Sequence, residues 1–489
     1  MSARLPSRTL IIAASLLVRA TVAVVLGLGV DEAYAVSVAR PWSVSYFDHP
    51  PLHFWLAGAM TWLTGSTEAI AVRLPFLVLF TGTLWLVGQL TARAFGDVAA
   101  RYAVLALAAS GVLGITSGSW VLPDGPLLFL SMLGVYLLYP LVVDETTGQE
   151  PAEHGKWRWF AAGLAFGAAA LAKYHALLLV SGLGMYLLLD AHARRHLRTP
   201  WPWMALLIVM VACTPVVWWN AQHEWVSFRF QGGRAHAEQW SPAPFVEMLG
   251  GQIAWLLPWV SVPLGIALVR APANGQRAQR ARRLFRCIAA LPILAFSLIP
   301  LGGARGLPHW TAPGWLYVFP LLGAWAAATP TAGRWLRGGA LATASLVAAL
   351  VLHVSTPVVD RFLSASVRDK DPTRDGVRWD AAIVPADLYV VRSWIQGGQV
   401  GVAAGPNARI VCLCADPHHF PFRHPGDALG PGERGVLLER RRGAGGTSPV
   451  SATQLGGDSL SITVRDTVSV GRGVEVIRYD VVRAPQKQL

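Results

Sequence analysis

Apolar runs long enough to cross a lipid bilayer recur along most of this chain, and they constrain its fold more than any other feature. About eleven such runs lie at roughly 10–30, 73–92, 102–119, 125–143, 158–172, 175–190, 203–220, 245–269, 287–301, 311–328 and 339–356. A spanning helix needs about 20 mostly apolar residues, and a helix satisfies its own backbone hydrogen bonds in lipid. The composition agrees, since 53% of the 489 residues are hydrophobic and only 14% are charged. We therefore predict an all-α multi-pass membrane domain over residues 1–357.

The chain changes character near residue 358, where charged residues, Pro and Gly become frequent and the apolar runs shorten. Apolar and other side chains alternate in RIVCLC, GVLLER, SLSITV and VEVIRYDVV, a pattern typical of strands. We therefore predict a small soluble α/β domain over 358–489. The same alternation puts Cys412 and Cys414 on one face of a strand, which makes a disulfide between them awkward. Cys213 and Cys287 lie in apolar runs and are expected in the core.

The net charge of +13 follows membrane topology rather than the needs of a nucleic-acid surface. With the N-terminus in the cytoplasm, seventeen Lys and Arg of the membrane domain fall on the cytoplasmic side and six on the opposite side. Positive charge accumulates in cytoplasmic loops, so this orientation is favoured. An odd number of spans then places the C-terminal domain outside the cytoplasm. We expect no nucleic-acid partner, and the first run reads as an uncleaved span.

Ionisable residues gather where this threading reaches the outer side of the membrane. They are Asp31, Glu32, Asp48, His49, His53, Asp124, Lys173, His175, Arg234, His236, Arg305 and His309. Charged groups near lipid are costly and usually face a cavity in which they act. The sequence therefore predicts a site assembled from several outer loops. Arg19, within the first run, has no explanation at this level.

The first outer loop contains the stretch SVSYFDHPPLHFW, residues 43–55. The part that follows Pro50 and Pro51 is apolar and aromatic but too short to span. We predict an interfacial helix that begins at this Pro pair. Asp48 and His49 would then lie at its N-terminus, where Asp48 is equally able to serve as a cap alone.

Six motifs occur in a fixed order along the chain: DEAY, YFDHPPLHFW, PDGPLLF, LAKY, WN…H.W.SF.FQ…R and GLPHWTAP…YVFP. Together they resemble the polyprenyl-phosphate-sugar-dependent glycosyltransferases of family 39. This family includes protein O-mannosyltransferase-like proteins and the aminoarabinose transferase of lipid A. The resemblance covers nearly all of residues 20–330 and implies the all-helical GT-C membrane fold. It also implies transfer of a sugar from a lipid carrier to an acceptor, with inversion at the anomeric carbon.

The resemblance places catalytic roles on three acidic residues. Asp31 is at the family's base position, and inverting transfer needs a base that takes the acceptor's proton. At the end of an apolar span its carboxylate would be partly desolvated, which makes it a better base. Glu32 would orient the acceptor or a neighbouring loop. Asp124 matches an acidic residue of the second outer loop, with capping of the following helix as the alternative.

The leaving lipid phosphate needs cations or hydrogen-bond donors around it. Lys173, the only lysine predicted on the outer side of the membrane domain, Arg234 and His49 are the candidates for binding it. The lipid A transferase has lysine where this chain has His49, so that position is expected to act as a hydrogen-bond donor. The remaining cavity candidates are Tyr46, Asp48, His53, Tyr174, His309 and Trp310. The acidic and histidine residues of the outer side have ligand types that permit a divalent metal, but no compact metal-ligand spacing occurs. The sequence therefore predicts no particular cofactor, and a divalent metal stays the less favoured alternative.

The expected partners are a polyprenyl-phosphate-sugar donor, a lipid or cell-envelope glycan acceptor and membrane lipids, in a bacterial plasma membrane. Transfer to protein is the alternative acceptor class. A lipid or solute transporter is the alternative from another class, but transporters place their charges near the midplane of broken, repeated helices. A scaffold that only presents the C-terminal domain would leave the outer ionisable residues without a purpose.

Overall fold

A computed structural model describes residues 5–144, 155–234, 241–423, 429–430, 433–441, 453–455 and 458–483. His236, predicted on the outer side, lies outside the described residues. The described part is mostly helical, which confirms the predicted all-α membrane region with a small C-terminal sheet.

Nineteen α-helices precede residue 356 in the described part of the chain. They are α1 Arg8–Val25, α2 Val30–Ala39, α3 Leu52–Thr64, α4 Ala69–Phe95, α5 Asp97–Ala108, α6 Ser117–Ser119, α7 Asp124–Val142, α8 Lys156–Ala172, α9 Ala176–Leu189, α10 Ala191–Arg194, α11 Trp201–Ala212, α12 Thr214–Gln222, α13 Val226–Gly233, α14 Ala243–Leu256, α15 Pro258–Arg270, α16 Gln276–Leu298, α17 Ala312–Leu316, α18 Phe319–Ala328 and α19 Pro330–Ser355. A π-helical turn, Gly111–Thr116, joins α5 to α6.

Six of the described helical segments are long and apolar enough to cross a membrane, and the number rises to nine if each of three sharply bent helix pairs is one span. Hydropathy alone predicts about eleven. Part of the difference comes from length, because α8 has 17 residues and α18 has 10. The three bent pairs turn by 80°, 96° and 109°, which a hydropathy profile does not register. The molecule is a multi-pass membrane protein.

The C-terminal segment forms a mixed six-stranded sheet with three short helices. The elements are α20 Ala365–Asp369, β1 Leu388–Val391, α21 Trp394–Ala404, β2 Ile410–Cys412, α22 Phe420–Arg423, β3 Gly435–Arg440, β4 Thr453–Leu455, β5 Asp458–Gly471 and β6 Val474–Arg483. The strand order is β2-β1-β3-β6-β5-β4. β1 is parallel to β2 and to β3, and the remaining pairs are antiparallel. The alternating runs are thus confirmed as strands.

Contacts divide the chain into two compact units, which are described separately. The first unit comprises Met1–Thr21, Val44–Leu52 and Leu74–Ala348, and the second comprises Val22–Ser43, His53–Arg73 and Ala349–Leu489. Helices α1, α3, α4 and α19 each contribute residues to both units. The boundary predicted at 357/358 stays a prediction.

The first apolar run ends earlier than its hydropathy suggests. Helix α1 stops at Val25, and a new helix, α2, begins at Val30 after the N-cap Gly29. The sequence VVLGLGV is apolar throughout, but its two glycines cost helix stability. Asp31 is therefore in the first turn of a separate short helix rather than at the end of a span, which corrects the prediction for its position.

The prediction against a Cys412–Cys414 disulfide is wrong, because the two residues are bonded to each other. Strand β2 ends at Cys412, so Cys414 lies in the following bend and is free of strand geometry. Their Cα atoms are 5.4 Å apart, which is within the normal disulfide range.

Arg19 is fully buried in the first unit and has a clear packing role. Its Nη1 donates to the carbonyls of Leu77 at 3.1 Å and Gly118 at 2.9 Å, and its Nη2 donates to Thr81 Oγ1 at 2.9 Å. Its guanidinium also lies over the ring of Phe80. A buried charge is tolerated when its donors are satisfied. Arg19 thus ties α1 to α4 and to the bent segment that leads to Asp124.

Candidate functional site

A cavity of about 240 Å³ opens in the first unit among residues from several distant parts of the chain. Its lining includes His49, Lys173, Tyr174, His175, Phe228, Gln231, Arg234 and Trp310. Two of these residues, Lys173 and Arg234, are cations, and most of the others are aromatic. Such a cavity suits an anionic group attached to an apolar or ring-shaped body.

Lys173 enters this cavity from the break between α8 and α9. Its backbone is extended at the C-cap of α8, so the chain turns there and the side chain leaves the helix. Its Nζ donates to both carboxylate oxygens of Asp124 at 2.9 Å. Both side chains are buried, with side-chain exposures of 4% and 9%. The ion pair with Asp124 offsets the desolvation cost of the buried Lys173 ammonium, which still lies on the cavity wall.

Asp124 is the first residue of α7. A carboxylate in this position interacts favourably with the helix dipole, so the capping alternative and the ion pair with Lys173 are compatible. The bent segment held by Arg19 directly precedes it in the chain. The structure therefore brings together two predicted residues, Asp124 and Lys173, that are 49 positions apart.

Helix α13 supplies one wall of the cavity through Phe228, Gln231 and its C-cap residue Arg234. These residues recur every three positions and so share one face of the helix. The local fold depends on Asn220, whose Oδ1 accepts a hydrogen bond from the backbone N–H of Ser227 at 3.1 Å. The guanidinium of Arg234 lies 4.7 Å from the ring centre of Phe230 and 5.6 Å from that of Trp310. Cation–π contacts of this kind hold a guanidinium in place.

The loop before α3 brings His49 to the cavity. Ser227 Oγ donates to the carbonyl of Tyr46 at 3.1 Å, and Gln231 Nε2 donates to the carbonyl of Asp48. Both contacts tie the loop to α13. Tyr46 is fully buried and Asp48 nearly so, and neither is among the residues that line the cavity. A helix, α3, follows the Pro pair as predicted, and its placement at the membrane surface stays a prediction.

His309 and Trp310 belong to a short 3-10 turn, Pro308–Thr311. Trp310 lines the cavity, whereas the ring of His309 contacts that of Trp255 at 5.7 Å. Burial, and then the charge of Lys173, lowers the pKa of His309 to about 4. The imidazole is therefore neutral at physiological pH and adds no positive charge near Lys173 and Arg234.

Asp31, Glu32 and His53 belong to the second unit. Asp31 is exposed, so the expected partial desolvation of its carboxylate is not found. Glu32 is fully buried: one oxygen accepts from Arg73 Nε at 2.8 Å, and the other accepts from Arg73 Nη2 and from the N–H of Gly29. His53 is buried with its ring 3.9 Å from that of Phe54. The catalytic role predicted for Glu32 stays a prediction.

Sequence reasoning assigned no individual role to three residues, two of the cavity and one beside Glu32. Gln231 lies within the FQ…R motif and lines the cavity. His175 was counted only among the outer ionisable residues; it lies two positions after Lys173 and also lines the cavity. Arg73 was counted only as a loop charge. It donates to Glu32 and also to the carbonyls of Ala23, Leu26 and Gly27. Its position at the start of an apolar run was the available indication, because an unpaired arginine there would be costly.

Among the described residues, one group has metal-ligand atoms close together: His353, Asp360 and Asp371, within 4.8 Å of one another. Arg374 and Arg472 lie beside the same carboxylates, at 3.0 Å from Asp360 and 3.7 Å from Asp371. Two guanidinium groups already neutralise this cluster, so it is poorly suited to a cation. It lies in the second unit and shares no residue with the cavity.

Comparisons with known proteins agree with the resemblance found in the sequence. Residues 48–219 match the family described as dolichyl-phosphate-mannose-protein mannosyltransferase. The lipid A galacturonosyltransferase RgtD of Rhizobium johnstonii is 29% identical over 42% of this chain. The match spans only about two fifths of the length of that curated relative, 41%.

The fold itself matches the crystal structure of ArnT from Cupriavidus metallidurans. The apo structure aligns over 96% of this chain and 97% of ArnT with a TM-score of 0.63 at 16% identity. A second ArnT structure, bound to undecaprenyl phosphate, aligns over the same shares with a TM-score of 0.62. These matches show that this chain has the fold of ArnT, in agreement with the GT-C fold expected from the sequence.

Proposed function

We propose that this protein is an inverting glycosyltransferase that moves a sugar from a polyprenyl-phosphate donor to a lipid or cell-envelope glycan acceptor. The observation that carries the proposal is the cavity of the first unit, where Lys173 and Arg234 are placed with aromatic side chains. Two cations suit a lipid phosphate, and the rings of Tyr174 and Trp310 suit a sugar face. The undecaprenyl phosphate in the related ArnT structure supports this donor class.

In the proposed reaction the acceptor hydroxyl attacks the anomeric carbon as the carbon–oxygen bond to the phosphate breaks. Asp31 takes the hydroxyl proton, and its exposure keeps its carboxylate accessible to a substrate. The phosphate leaves with the bonding electrons and is stabilised by Lys173 and Arg234, with His49 and Gln231 beside them. No acid is required, because a phosphate leaves as an anion. Glu32 acts through Arg73 by holding the start of α2.

The proposed class of acceptor is supported by the name of a related protein. The matched galacturonosyltransferase acts on lipid A by its name, which favours a lipid acceptor. The matched family model is described by transfer to protein, which keeps protein as the second candidate. The same assay separates the two.

We further propose that the reaction occurs on the outer face of a bacterial plasma membrane, with the N-terminus in the cytoplasm. The excess of seventeen over six basic residues in the predicted cytoplasmic segments supports this orientation. The Cys412–Cys414 disulfide supports it independently, since disulfides persist in oxidising compartments.

The test uses the full chain, purified in detergent, with a panel of polyprenyl-phosphate sugars and either lipid A or a Ser/Thr peptide as acceptor. Release of free polyprenyl phosphate and labelling of the acceptor are both measured. We expect one donor to react, lipid A to be labelled, and Asp31→Asn to lose turnover while still binding undecaprenyl phosphate. Asp97→Asn is the matched control, because Asp97 is also an exposed acid in the first turn of a helix.

Labelling of the peptide instead of lipid A would replace the acceptor class and keep the chemistry. Full turnover by Asp31→Asn would remove the proposed base. If neither free polyprenyl phosphate nor binding of any of these lipids is detected, the transferase proposal fails and the transporter alternative gains.

A further inference from the structure

Helix α21 of the C-terminal segment packs along α2, the helix that carries Asp31 in its first turn. Both helices belong to the second unit. Every residue of α2 from Glu32 to Ala39 is buried, whereas Asp31 is exposed. The short helix that presents the proposed base is therefore enclosed on nearly all sides, and a segment more than 350 residues away in sequence supplies one of those sides.

Two glycines of α21 set the distance between these helices. A Cβ atom on Gly398 would lie 2.6 Å from the backbone nitrogen of Tyr34, and one on Gly401 would lie 1.8 Å from Ser37 Oγ. Both distances are too short for any side chain. The spacing of three residues is the same on both helices, so the two glycines face Tyr34 and Ser37 in register. Larger residues would force α2 and α21 apart.

Polar contacts fix the same pairing along and across the helices. Arg40 Nη1 donates to the carbonyl of Gly401 at 2.8 Å, near the C-terminal end of α21, where a positive charge is favoured. Gln399 Nε2 donates to the carbonyl of Asp375 at 2.7 Å and to that of Leu28 at 3.4 Å, just before α2 begins. Contacts thus hold α2 near both of its ends.

We propose that Gly398 and Gly401 are positioning residues for Asp31, so that the C-terminal domain is part of the catalytic apparatus. This inference rests on the proposed function, in which Asp31 is the base. A base must lie within hydrogen-bond reach of the hydroxyl it deprotonates. Since α2 is only ten residues long, a shift of the helix at Tyr34 or Ser37 displaces the carboxylate three to six residues away. A misplacement of about 1 Å costs on the order of 10²-fold in rate.

The test moves the small residue at the contact between α2 and α21 from one helix to the other. Gly401→Ala, Ser37→Gly and the double variant are made in the full chain, since Ser37→Gly removes the side chain that the new methyl group would strike. Gly184→Ala is the matched control, because a Cβ on this glycine of α9 meets nothing within 4 Å. For each variant kcat, the donor KM, the Kd for undecaprenyl phosphate and the melting temperature in detergent are measured.

We expect Gly401→Ala to lower kcat by about 10²-fold, with Kd for undecaprenyl phosphate unchanged, since Lys173 and Arg234 are untouched. The double variant should regain about tenfold of that loss relative to Gly401→Ala, and Gly184→Ala should match the wild type. In an Asp31→Asn background Gly401→Ala should lower the residual rate no further, because the group it misplaces is already absent.

Three results would overturn the inference. These are a wild-type kcat for Gly401→Ala with normal folding, a loss of kcat that tracks the fraction of unfolded protein, and a further loss in the Asp31→Asn background. Failure of the proposed function looks different, since Asp31→Asn would then itself retain turnover.

Discussion

Substitution of Asp124 by Asn tests how the cavity tunes its affinity for a lipid phosphate. In the structure both carboxylate oxygens of Asp124 accept from the ammonium of Lys173, so the bound phosphate and Asp124 would share one cation. Asn keeps the size and one acceptor oxygen but removes the negative charge. We expect Asp124→Asn to be less stable than the wild type and yet to bind undecaprenyl phosphate more tightly.

The magnitude follows from the geometry of the pair. A phosphate oxygen on the far side of the ammonium would lie roughly 5–6 Å from the Asp124 oxygens, and at an effective dielectric constant of about 20 the repulsion between unit charges is about 3 kcal/mol. Solvent and ions in the open cavity weaken this, so a net gain of about 1.5 kcal/mol, near tenfold in Kd, is expected. Loss of the carboxylate also leaves Lys173 as an unpaired buried cation, which costs about 3–5 kcal/mol in the ligand-free protein.

The assay is thermal unfolding in detergent over a titration of undecaprenyl phosphate. The ligand should raise the melting temperature of Asp124→Asn more than that of the wild type, because it replaces the missing counter-ion. Asp190→Asn is the matched control. Asp190 is buried and forms an ion pair with Arg283 at 2.6 Å, and neither residue lines the cavity. It should lose stability without any change in Kd.

A Kd for Asp124→Asn that is equal to or weaker than that of the wild type would refute the reasoning. Asp124 would then assist phosphate binding rather than compete for Lys173. A gain in affinity combined with loss of turnover would keep the catalytic role predicted for Asp124 and show that tight product binding and fast transfer oppose each other.

Three further predictions concern stability in detergent. Arg19→Leu should lower the free energy of unfolding by about 1–3 kcal/mol, because the buried carbonyl of Gly118 loses the hydrogen bond from Arg19. Arg19→Lys should fall between the wild type and Arg19→Leu, and equal melting temperatures for all three would contradict this. Glu32→Gln should lower the free energy of unfolding by about 3–5 kcal/mol, because it leaves Arg73 without its counter-ion. Glu68→Gln, which breaks an exposed ion pair with Arg378, should lower it by at most about 1 kcal/mol. Similar losses for the two variants would contradict this prediction. Folding lowers the pKa of His309 from 6.5 to about 4, so between these pH values the unfolded chain binds more protons than the folded chain. The free energy of unfolding should therefore fall as the pH is lowered from 6.5 to 4. His309→Gln should reduce this pH dependence of the melting temperature, and an unchanged dependence would exclude His309 as its source.

Much of the fold and part of the site follow from the sequence, and the limits have physical causes. Hydropathy finds apolar segments but detects neither helix breaks nor bends. It therefore predicts that the first span continues past Gly27 and Gly29 to residue 30, whereas α1 ends at Val25. The charges Lys173 and Asp124 were found because each is expensive near lipid. Their mutual contact was not, since pairing across 49 residues depends on where α7 and α8 pack.

The C-terminal domain shows the same limit more strongly. Alternation predicts its strands, because each strand repeats locally. The residues around Gly398 and Gly401 give no indication of a contact with α2. In a single sequence, a glycine that a close helix approach requires cannot be distinguished from a glycine in a helix with open space beside it. The disulfide was missed for a related reason: alternation was extended to Cys414, two residues past the end of β2.

The two adjacent acids of DEAY show how burial divides roles that sequence alone cannot assign. Successive residues of a helix point about 100° apart, so one face of α2 can be exposed at Asp31 and enclosed at Glu32. Glu32 is enclosed and accepts hydrogen bonds from Arg73 and from the N–H of Gly29, so an acceptor hydroxyl could reach it only by displacing those contacts. Asp31 lies on the exposed side of the same turn, where an acceptor hydroxyl can approach its carboxylate. The proposal that Asp31 is the base and Glu32 a positioning residue follows from this difference in accessibility.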